Sequence, residues 1–227
     1  MINLQDYLRL SEHVLKKHDI IITSEYLKQN FLHLNEDEQK AILYFTHVTR
    51  FSHMFENSPI IYNQIIEYLS NKFKICKTSI VLIGSAKTGF SIDPAKYGNP
   101  FSENSDLDFA IIDDSLFEIL RKEYQIWKKK YEDGEYDNFQ NKKYWPDNIN
   151  TLKGCLKKGF IDTNKLPSFD DLPTIKSLNN SMSQIVRQLD NIHEIKIKGA
   201  SVRIYNNWDS FQKRLYINTK SVIEKIT

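Results

Sequence analysis

The chain has 227 residues, of which 41% are hydrophobic and 26% are charged, and its 31 basic and 29 acidic residues leave a formal net charge of +2. That length buries enough apolar surface for a fold without a disulfide or a structural metal, and the near-neutral charge excludes a general attraction to nucleic acid or membranes, although a local basic groove is compatible with it. Two widely spaced cysteines, no signal-peptide pattern at the start and no apolar stretch of about 20 residues predict a cytoplasmic protein with reduced thiols and no membrane association.

The first 73 residues are predicted to be a helical segment that packs on a core formed by residues 74–227. Apolar residues recur there at three- and four-residue steps, which is the spacing of one helix face, and no Gly or Pro occurs before Pro59. The stretch 35–38, an Asn followed by three acidic residues, is typical of a helix start because carboxylates favour the positive end of the helix dipole. A last helix of this segment is expected over residues 60–72.

Two buried strands are predicted in the middle of the chain. Residues 79–83 and 107–112 are short, mainly apolar runs rich in β-branched side chains, as buried strands are. The stretch 90–104 between them holds Gly, Pro and Asn residues and is predicted to be a loop. The pattern at 115–118 is that of a capping box and predicts a helix that ends near residue 132.

The C-terminal part of the chain is less informative. Residues 133–172 have no clear periodicity, and residues 180–190 are predicted to be helical. Residues 195–197 and 202–204 each alternate as strands do, but in opposite phase around Gly199. That change of phase predicts a bulge or a tight turn at the glycine.

The residues with chemical information lie on and between the two predicted central strands. Gly84 and Ser85 follow the first strand, where the glycine lets a phosphate approach the backbone and the serine adds a hydroxyl. Asp106 and Asp108 are two residues apart on the second strand, so both carboxylates leave the same face, roughly 6–7 Å apart along the chain. Two carboxylates on an apolar strand are costly without a positive partner, and Mg²⁺ is the natural one because carboxylates and substrate phosphates are its usual ligands.

This arrangement resembles the nucleotidyltransferase superfamily typified by DNA polymerase beta, whose signature is a strand, Gly-Ser, a helical turn and then Asp-x-Asp on the next strand. Residues 78–113 carry the resemblance. It implies an α+β fold, with a small mixed sheet flanked by helices, in which Ser85 contacts the triphosphate and Asp106 and Asp108 hold Mg²⁺ or Mn²⁺.

The resemblance also implies an activity, the transfer of a nucleoside monophosphate from a nucleoside triphosphate such as ATP to a hydroxyl acceptor. The sequence does not choose among a protein side chain, an RNA end, a small antibiotic-like molecule and a second nucleotide as the acceptor. Small stand-alone members of the superfamily act in bacterial toxin–antitoxin or anti-phage defence, which supplies an analogy for the biological role.

The sequence departs from the family pattern in two places. The loop 90–104 lengthens the connection between Gly-Ser and Asp-x-Asp. In the family a third carboxylate, on a later strand, acts as general base on the attacking hydroxyl, and here Glu194 is the leading candidate for that role and Asp162 the next. Asp209 is better explained as the cap of a C-terminal helix.

Further interpretations remain open from the sequence alone. Lys87 is a candidate nucleotide contact, with an exposed loop lysine as the alternative, and Arg203 is a candidate for a phosphate contact on a later strand. The stretch 84–91 lacks the lysine of a P-loop, so that motif is rejected. Two other functions stay in consideration, namely a catalytically inactive nucleotide-binding module that senses a ligand or regulates a protein partner, and a structural helical protein whose aspartates are incidental.

Overall fold

The computed structural model describes residues 22–136 and 140–227, within which eight α-helices surround a four-stranded mixed sheet. In chain order the elements are α1 (Ser24–Asn30), α2 (Glu36–Tyr44), α3 (Pro59–Phe73), β1 (Ile80–Ile83), α4 (Ser85–Thr88), β2 (Asp106–Ile112), α5 (Asp114–Glu132), α6 (Trp145–Lys157), β3 (Phe160–Asp162), α7 (Pro173–His193), β4 (Gly199–Tyr205) and α8 (Trp208–Ile226). The α+β class with a small mixed sheet is confirmed. None of the helices in these two ranges has both the length and the apolar character needed to cross a bilayer.

The sheet has the strand order β1-β2-β4-β3, with β2 and β4 parallel and both outer pairs antiparallel. The two strands predicted from apolar runs are its first two members, and β2 begins one residue earlier than expected, at Asp106. β2 is paired on both sides, so Asp108 lies beside Ile83 on one neighbour and beside Ser201 on the other.

One face of the sheet is entirely apolar and carries the main core. Because side chains alternate along a strand, every second residue of β2 and β4 points to this face. Helices α3, α5 and α7 cover it, and their contribution includes Leu69, Leu120, Trp127 and Leu178. From the strands the core receives Leu82, Leu107, Phe109, Ile111, Ile161, Val202 and Ile204.

The opposite face is covered over only half of its length. Near the carboxyl ends of β2 and β4 it is apolar, and Ala110, Ile112 and Tyr205 pack there against Phe211 of α8. Near the amino ends of the same strands the face carries Asp106, and none of the apolar clusters formed by residues 22–136 and 140–227 covers it. This part of the chain therefore leaves one half of one sheet face open.

The first two helices, α1 and α2, pack mainly on α8. Leu27, Phe31 and Leu43 form a second buried cluster with Ile223 of that helix. The predicted helix start at 35–38 is confirmed, since Asn35 accepts a hydrogen bond from the backbone of Glu38 and the Glu38 carboxylate accepts one in return. That capping box fixes where α2 begins against the end of α8.

The structure corrects the expectation of a strand at 195–197 with a bulge at Gly199. Instead, α7 ends in a left-handed residue, Glu194, and the Ile195 amide donates to the Leu189 carbonyl, so this stretch closes a helix. β4 starts at Gly199 and pairs with β2 without interruption. The apolar alternation at 195–197 reflects packing on the main core.

Three further elements differ from the sequence interpretation. α5 is capped by Asp113, whose side chain accepts from the Leu116 amide, and not by the capping box predicted at 115–118. The stretch 133–172, which shows no clear periodicity, includes α6 and the three-residue edge strand β3. The cap of α8 is Asn207, whose side chain accepts from the Ser210 amide, and Asp209 lies inside the first turn. Asn207 takes this role because its extended backbone lets a short side chain fold back over the helix start.

A buried histidine lies where α2 runs into the π-helical turn Phe45–Thr49. His47 is only 1% exposed, and its Nδ1 lies 3.1 Å from the Leu43 carbonyl oxygen. Burial lowers the pKa of His47 to about 4, with a smaller contribution in the same direction from the Lys87 charge. The ring is therefore neutral in the folded protein down to that pH.

This histidine predicts a loss of stability in mild acid. Between its unfolded pKa near 6.5 and its folded pKa of about 4, only the unfolded chain takes up the proton, so the free energy of unfolding falls as the pH falls through that window. The contribution amounts to about 3 kcal/mol at the lower end. Urea denaturation of wild type and His47→Leu at pH 7 and pH 4.5 checks it, with the exposed His33→Gln as control. An equal pH dependence in wild type and His47→Leu would contradict the assignment.

Candidate functional site

A cleft of about 760 Å³ opens over the uncovered half of the sheet. The loop 91–105 forms one wall and the second half of α8 forms the other, while β1, β2 and β4 supply the floor. Most of the side chains that the two walls contribute are hydroxyls, amides and lysines, among them Ser91, Lys96, Asn99, Ser102, Asn104, Asn218, Ser221 and Lys225. A cleft of this size falls in the range of small-ligand sites, and its polar walls suit a polar ligand.

Asp106 and Asp108 both line the cleft, on the same face of β2 as the period of a strand requires. Asp106 is exposed, whereas Asp108 is half-buried and accepts a hydrogen bond from the Ser201 hydroxyl on β4. Burial raises the pKa of Asp108, and the Ser201 hydrogen bond and the Arg203 charge oppose that increase. Asp106 and Asp162 add to it by repulsion. The protein therefore compensates the charge of Asp108 only in part.

Each carboxylate has a glycine against it. A Cβ atom at Gly84 would lie 3.1 Å from Oδ2 of Asp108, and one at Gly199 would lie 3.1 Å from Oδ1 of Asp106. Gly84 also has a φ of 69° and a ψ of −160°, which is a conformation essentially restricted to glycine. The close contact of Gly84 is with Asp108, and its predicted role, close approach of a phosphate to the backbone, stays a prediction; Gly84 and Ser85 both line the cleft.

Two cations flank the carboxylates. The Lys198 ammonium lies 3.9 Å from Oδ2 of Asp106. Arg203 also lines the cleft, two residues after Ser201 on β4. The Nε of Arg203 lies 3.5 Å from Oδ2 of Asp162 on the edge strand β3. The pair holds the guanidinium at the sheet face, where it lines the cleft.

Neither candidate for a third carboxylate joins Asp106 and Asp108. Glu194 is exposed at the end of α7 and lies outside the residues that line the cleft, so its expected position on a strand is wrong. Asp162 lies on β3, and Arg203 on β4 separates it from β2. Among residues 22–136 and 140–227, no group of three His, Cys, Asp or Glu side chains could hold a metal ion. The positions on β4 next to Asp106 and Asp108 are Gly199 and Ser201.

Lys87, the third candidate nucleotide contact, does not line this cleft. It points to the other side of α4, where its ammonium donates to the backbone carbonyls of Val48 and Arg50. The side chain is 4% exposed, so neither the phosphate contact nor the exposed loop lysine describes it.

The carboxylate pair fits Mg²⁺ that arrives with a phosphate ligand. Asp106 and Asp108 supply hard oxygen ligands next to each other, and Mg²⁺ commonly takes one or two protein carboxylates, with phosphate and water completing its octahedron. Because the protein compensates the charge of the half-buried Asp108 only in part, a cation bound there would be stabilising. The pair alone does not form a preassembled metal cage, so the metal and its phosphate ligand are expected to bind together.

Ser201 and Arg203 are the residues of the site that the sequence identifies least well. Their positions depend on the parallel pairing of β4 with β2, which no local sequence pattern predicts. The alternation of 201, 203 and 205 on one face was the available signal, and it applies equally to a solvent-exposed strand face.

Comparison with known proteins adds no assignment. The chain matches no family model, no curated protein and no solved structure. The interpretation of the site therefore rests on its own geometry.

The tight fit of Gly84 predicts opposite effects of two Gly→Ala substitutions. Gly84→Ala should lower the free energy of unfolding by about 1–3 kcal/mol, because its backbone conformation excludes a Cβ. Gly154→Ala is the matched control, since Gly154 lies in α6 with nothing within 4 Å of an added Cβ. It should raise stability by about 0.5–1 kcal/mol. Urea denaturation measures both, and a Gly84→Ala protein as stable as wild type would show that the close approach to Asp108 is not maintained.

Proposed function

We propose that this protein is a nucleotidyltransferase, which transfers a nucleoside monophosphate from a nucleoside triphosphate to a hydroxyl acceptor. One observation carries the proposal, namely that Asp106 and Asp108 lie together at the floor of a polar cleft, with Gly84 packed against Asp108. The resemblance in sequence and this placement are independent, because the first depends on local motifs and the second on how β1 and β2 pair.

The charge distribution in the cleft supports a phosphate ligand. The basic side chains that line it are Lys96, Lys198, Arg203 and Lys225, and the acidic ones are Asp93, Asp106 and Asp108. A cation bound by the aspartates would leave the cleft strongly positive, which suits a triphosphate that carries several negative charges. Among the described residues, neither the loop wall nor the α8 wall of the cleft carries the group of acidic side chains that a cationic acceptor would require.

The residues then have distinct roles in the proposed reaction. Bound Mg²⁺ would supply charge stabilisation at the reacting phosphoryl group. Asp106 and Asp108 would hold the metal and Arg203 would bind phosphate oxygens, while the hydrogen bond from Ser201 fixes the Asp108 carboxylate. The acceptor oxygen forms a bond to the α-phosphorus as the bond to pyrophosphate breaks, and the acceptor hydroxyl passes its proton to a water molecule in the open cleft.

Replacement of Asp108 tests this proposal. Asp108→Ala should lower the rate of pyrophosphate release by roughly a hundredfold or more, because the metal loses a ligand and the transition state loses charge stabilisation. The assay uses each of the four nucleoside triphosphates with Mg²⁺ or Mn²⁺ and a labelled α-phosphate, and cell extract provides the acceptor. Glu224→Gln, an exposed acidic residue of α8 outside the cleft, is the control. Equal label transfer by Asp108→Ala and wild type would contradict the metal assignment.

Replacement of Arg203 tests the phosphate contact separately. Arg203→Gln should weaken nucleoside triphosphate binding roughly tenfold or more, as expected for loss of a charge-assisted hydrogen bond. Arg203→Lys should recover only part of the affinity, because lysine lacks the planar fork that Asp162 positions. Titration calorimetry measures both, with Arg187→Gln on the exposed side of α7 as control. Unchanged affinity in Arg203→Gln would remove Arg203 from the site.

A second candidate function is a catalytically inactive module of the same fold that binds a nucleotide and regulates a partner. The observation that favours it is the lack of a third carboxylate beside Asp106 and Asp108 in the described part of the chain. Nucleotide binding without pyrophosphate release, with every nucleotide and both metals, would select this alternative.

A further inference from the structure

A second cavity, of about 540 Å³, lies on the other side of the short helix α4 from the cleft. Ser85 of α4 lines the cleft and Lys87 of the same turn lines the cavity. The π-helical turn Phe45–Thr49 and the loop that follows it form one wall, and β1 contributes Ile80 and Val81. The proposed function uses none of the side chains in this cavity.

The floor of the cavity carries a buried positive charge. Lys87 is 4% exposed, and its ammonium donates to the carbonyls of Val48, at 3.4 Å, and Arg50. An ammonium has three donors, so these two bonds leave one for a ligand. Burial lowers the pKa of Lys87 to about 8, with the Arg50 charge acting in the same direction, so the lysine remains mainly protonated at neutral pH.

The positive charge has no acidic counterpart in the cavity. Arg50 supplies a second cation, and none of the described side chains that line the cavity is an Asp or a Glu. The carbonyls at the end of the π-helical turn offset only part of the lysine charge, because each is a dipole and not an ion. Two cations with no carboxylate around a concave surface form a local attraction for an anion.

A buried hydroxyl points to the same kind of ligand. Ser52 lines the cavity and its Oγ is buried, and no described residue gives it a hydrogen bond of normal geometry, although the Tyr62 hydroxyl is close. Such a group costs free energy unless a ligand or a water molecule bonds to it. An anionic oxygen bound in the cavity could accept a hydrogen bond from Ser52 and meet that requirement.

The remaining walls are aromatic. Five rings line the cavity, from Tyr44, Phe51, Phe55, Tyr62 and Trp208. Phe51 is 76% exposed although it is a large apolar side chain, and Tyr44 and Trp208 form a pair with their ring centroids 6.4 Å apart. Aromatic walls favour a planar ring in the ligand, because ring pairs gain stabilisation beyond the area that they bury.

We propose that this cavity binds a small anion that carries a planar ring, with its anionic group between Lys87 and Arg50 and its ring against the aromatic wall. The volume lies within the range of small-ligand pockets. The shared chemistry, a phosphate or a carboxylate joined to an aromatic ring, defines the ligand class. This site is separate from the proposed nucleotidyl transfer and does not depend on it.

Titration calorimetry with small probes, in the absence of divalent metal, tests the proposal. AMP and benzoate are the two anionic ring probes, and adenosine and inorganic phosphate each lack one of the two features. At least one anionic ring probe should bind more tightly than both single-feature probes. Arg50→Gln should weaken that binding roughly tenfold through loss of a charged contact, and Phe51→Ala by up to roughly tenfold through loss of a ring contact.

Controls distinguish this cavity from the cleft. Arg203→Gln alters the cleft and should leave the binding of the anionic ring probe unchanged, and thermal denaturation verifies that Arg50→Gln and Phe51→Ala remain folded. Binding that is lost in Arg203→Gln but retained in Arg50→Gln would overturn the proposal, as would no binding of either AMP or benzoate. Because these probes carry no triphosphate and no metal is present, failure here is distinct from failure of the Asp108 experiment.

Discussion

The parallel pairing of β2 with β4 is the constraint on which the rest of the structure depends. All seven residues of β2 pair with β4 in one register, from Asp106 beside Gly199 to Ile112 beside Tyr205. Parallel neighbours require a long crossover, and the chain makes it through α5, α6, β3 and α7. That crossover covers one face of the sheet with helices. The register of the pairing also determines which side chain lies beside Asp108 on the other face. A shift of that register by one residue would place a core residue there in place of Ser201.

The open half of the sheet is possible because α8 serves three surfaces at once. Phe211 packs on the carboxyl-end half of the sheet, Ile223 packs against α1 and α2, and Asn218 faces the cleft. A helix that packed on the sheet along its whole length would bury Asp106 and Asp108 under apolar side chains, which is costly for charged groups. The helix instead leaves the sheet and is held by the N-terminal helices, so the site stays accessible without exposing the core.

The sequence predicts those parts of the fold that local chemistry decides. The strands at β1 and β2 are continuous apolar runs, and the start of α2 is a capping box, so each of them is apparent within a few residues. The same local reasoning locates Gly84 and the aspartates. It fails for β3, which has only three residues, and for 195–197, where two half-buried isoleucines that close a helix give the same alternation as a strand.

The candidate site was predictable only in the part that is contiguous in sequence. Glu194 was chosen because it precedes an apparent strand, and the left-handed end of α7 removes that strand. Arg203 and Ser201 belong to the site because β4 pairs with β2, which is distant in sequence. Their own sequence pattern, polar residues at every second position of a short strand, is also that of a strand face exposed to solvent. Lys87 shows the reverse error, since a lysine beside a Gly-Ser turn suggests a phosphate contact, but helical geometry turns it away from Ser85.

The short helix α4 connects the two cavities physically. It has only four residues, and a glycine with positive φ lies at each end, Gly84 and Gly89, so side-chain contacts on its two sides determine where it lies. On one side Lys87 is bound to the carbonyls of the π-helical turn, and on the other Gly84 packs against Asp108. Because one turn separates these two contacts, the same short helix contributes both to the wall of the second cavity and to the packing beside Asp108.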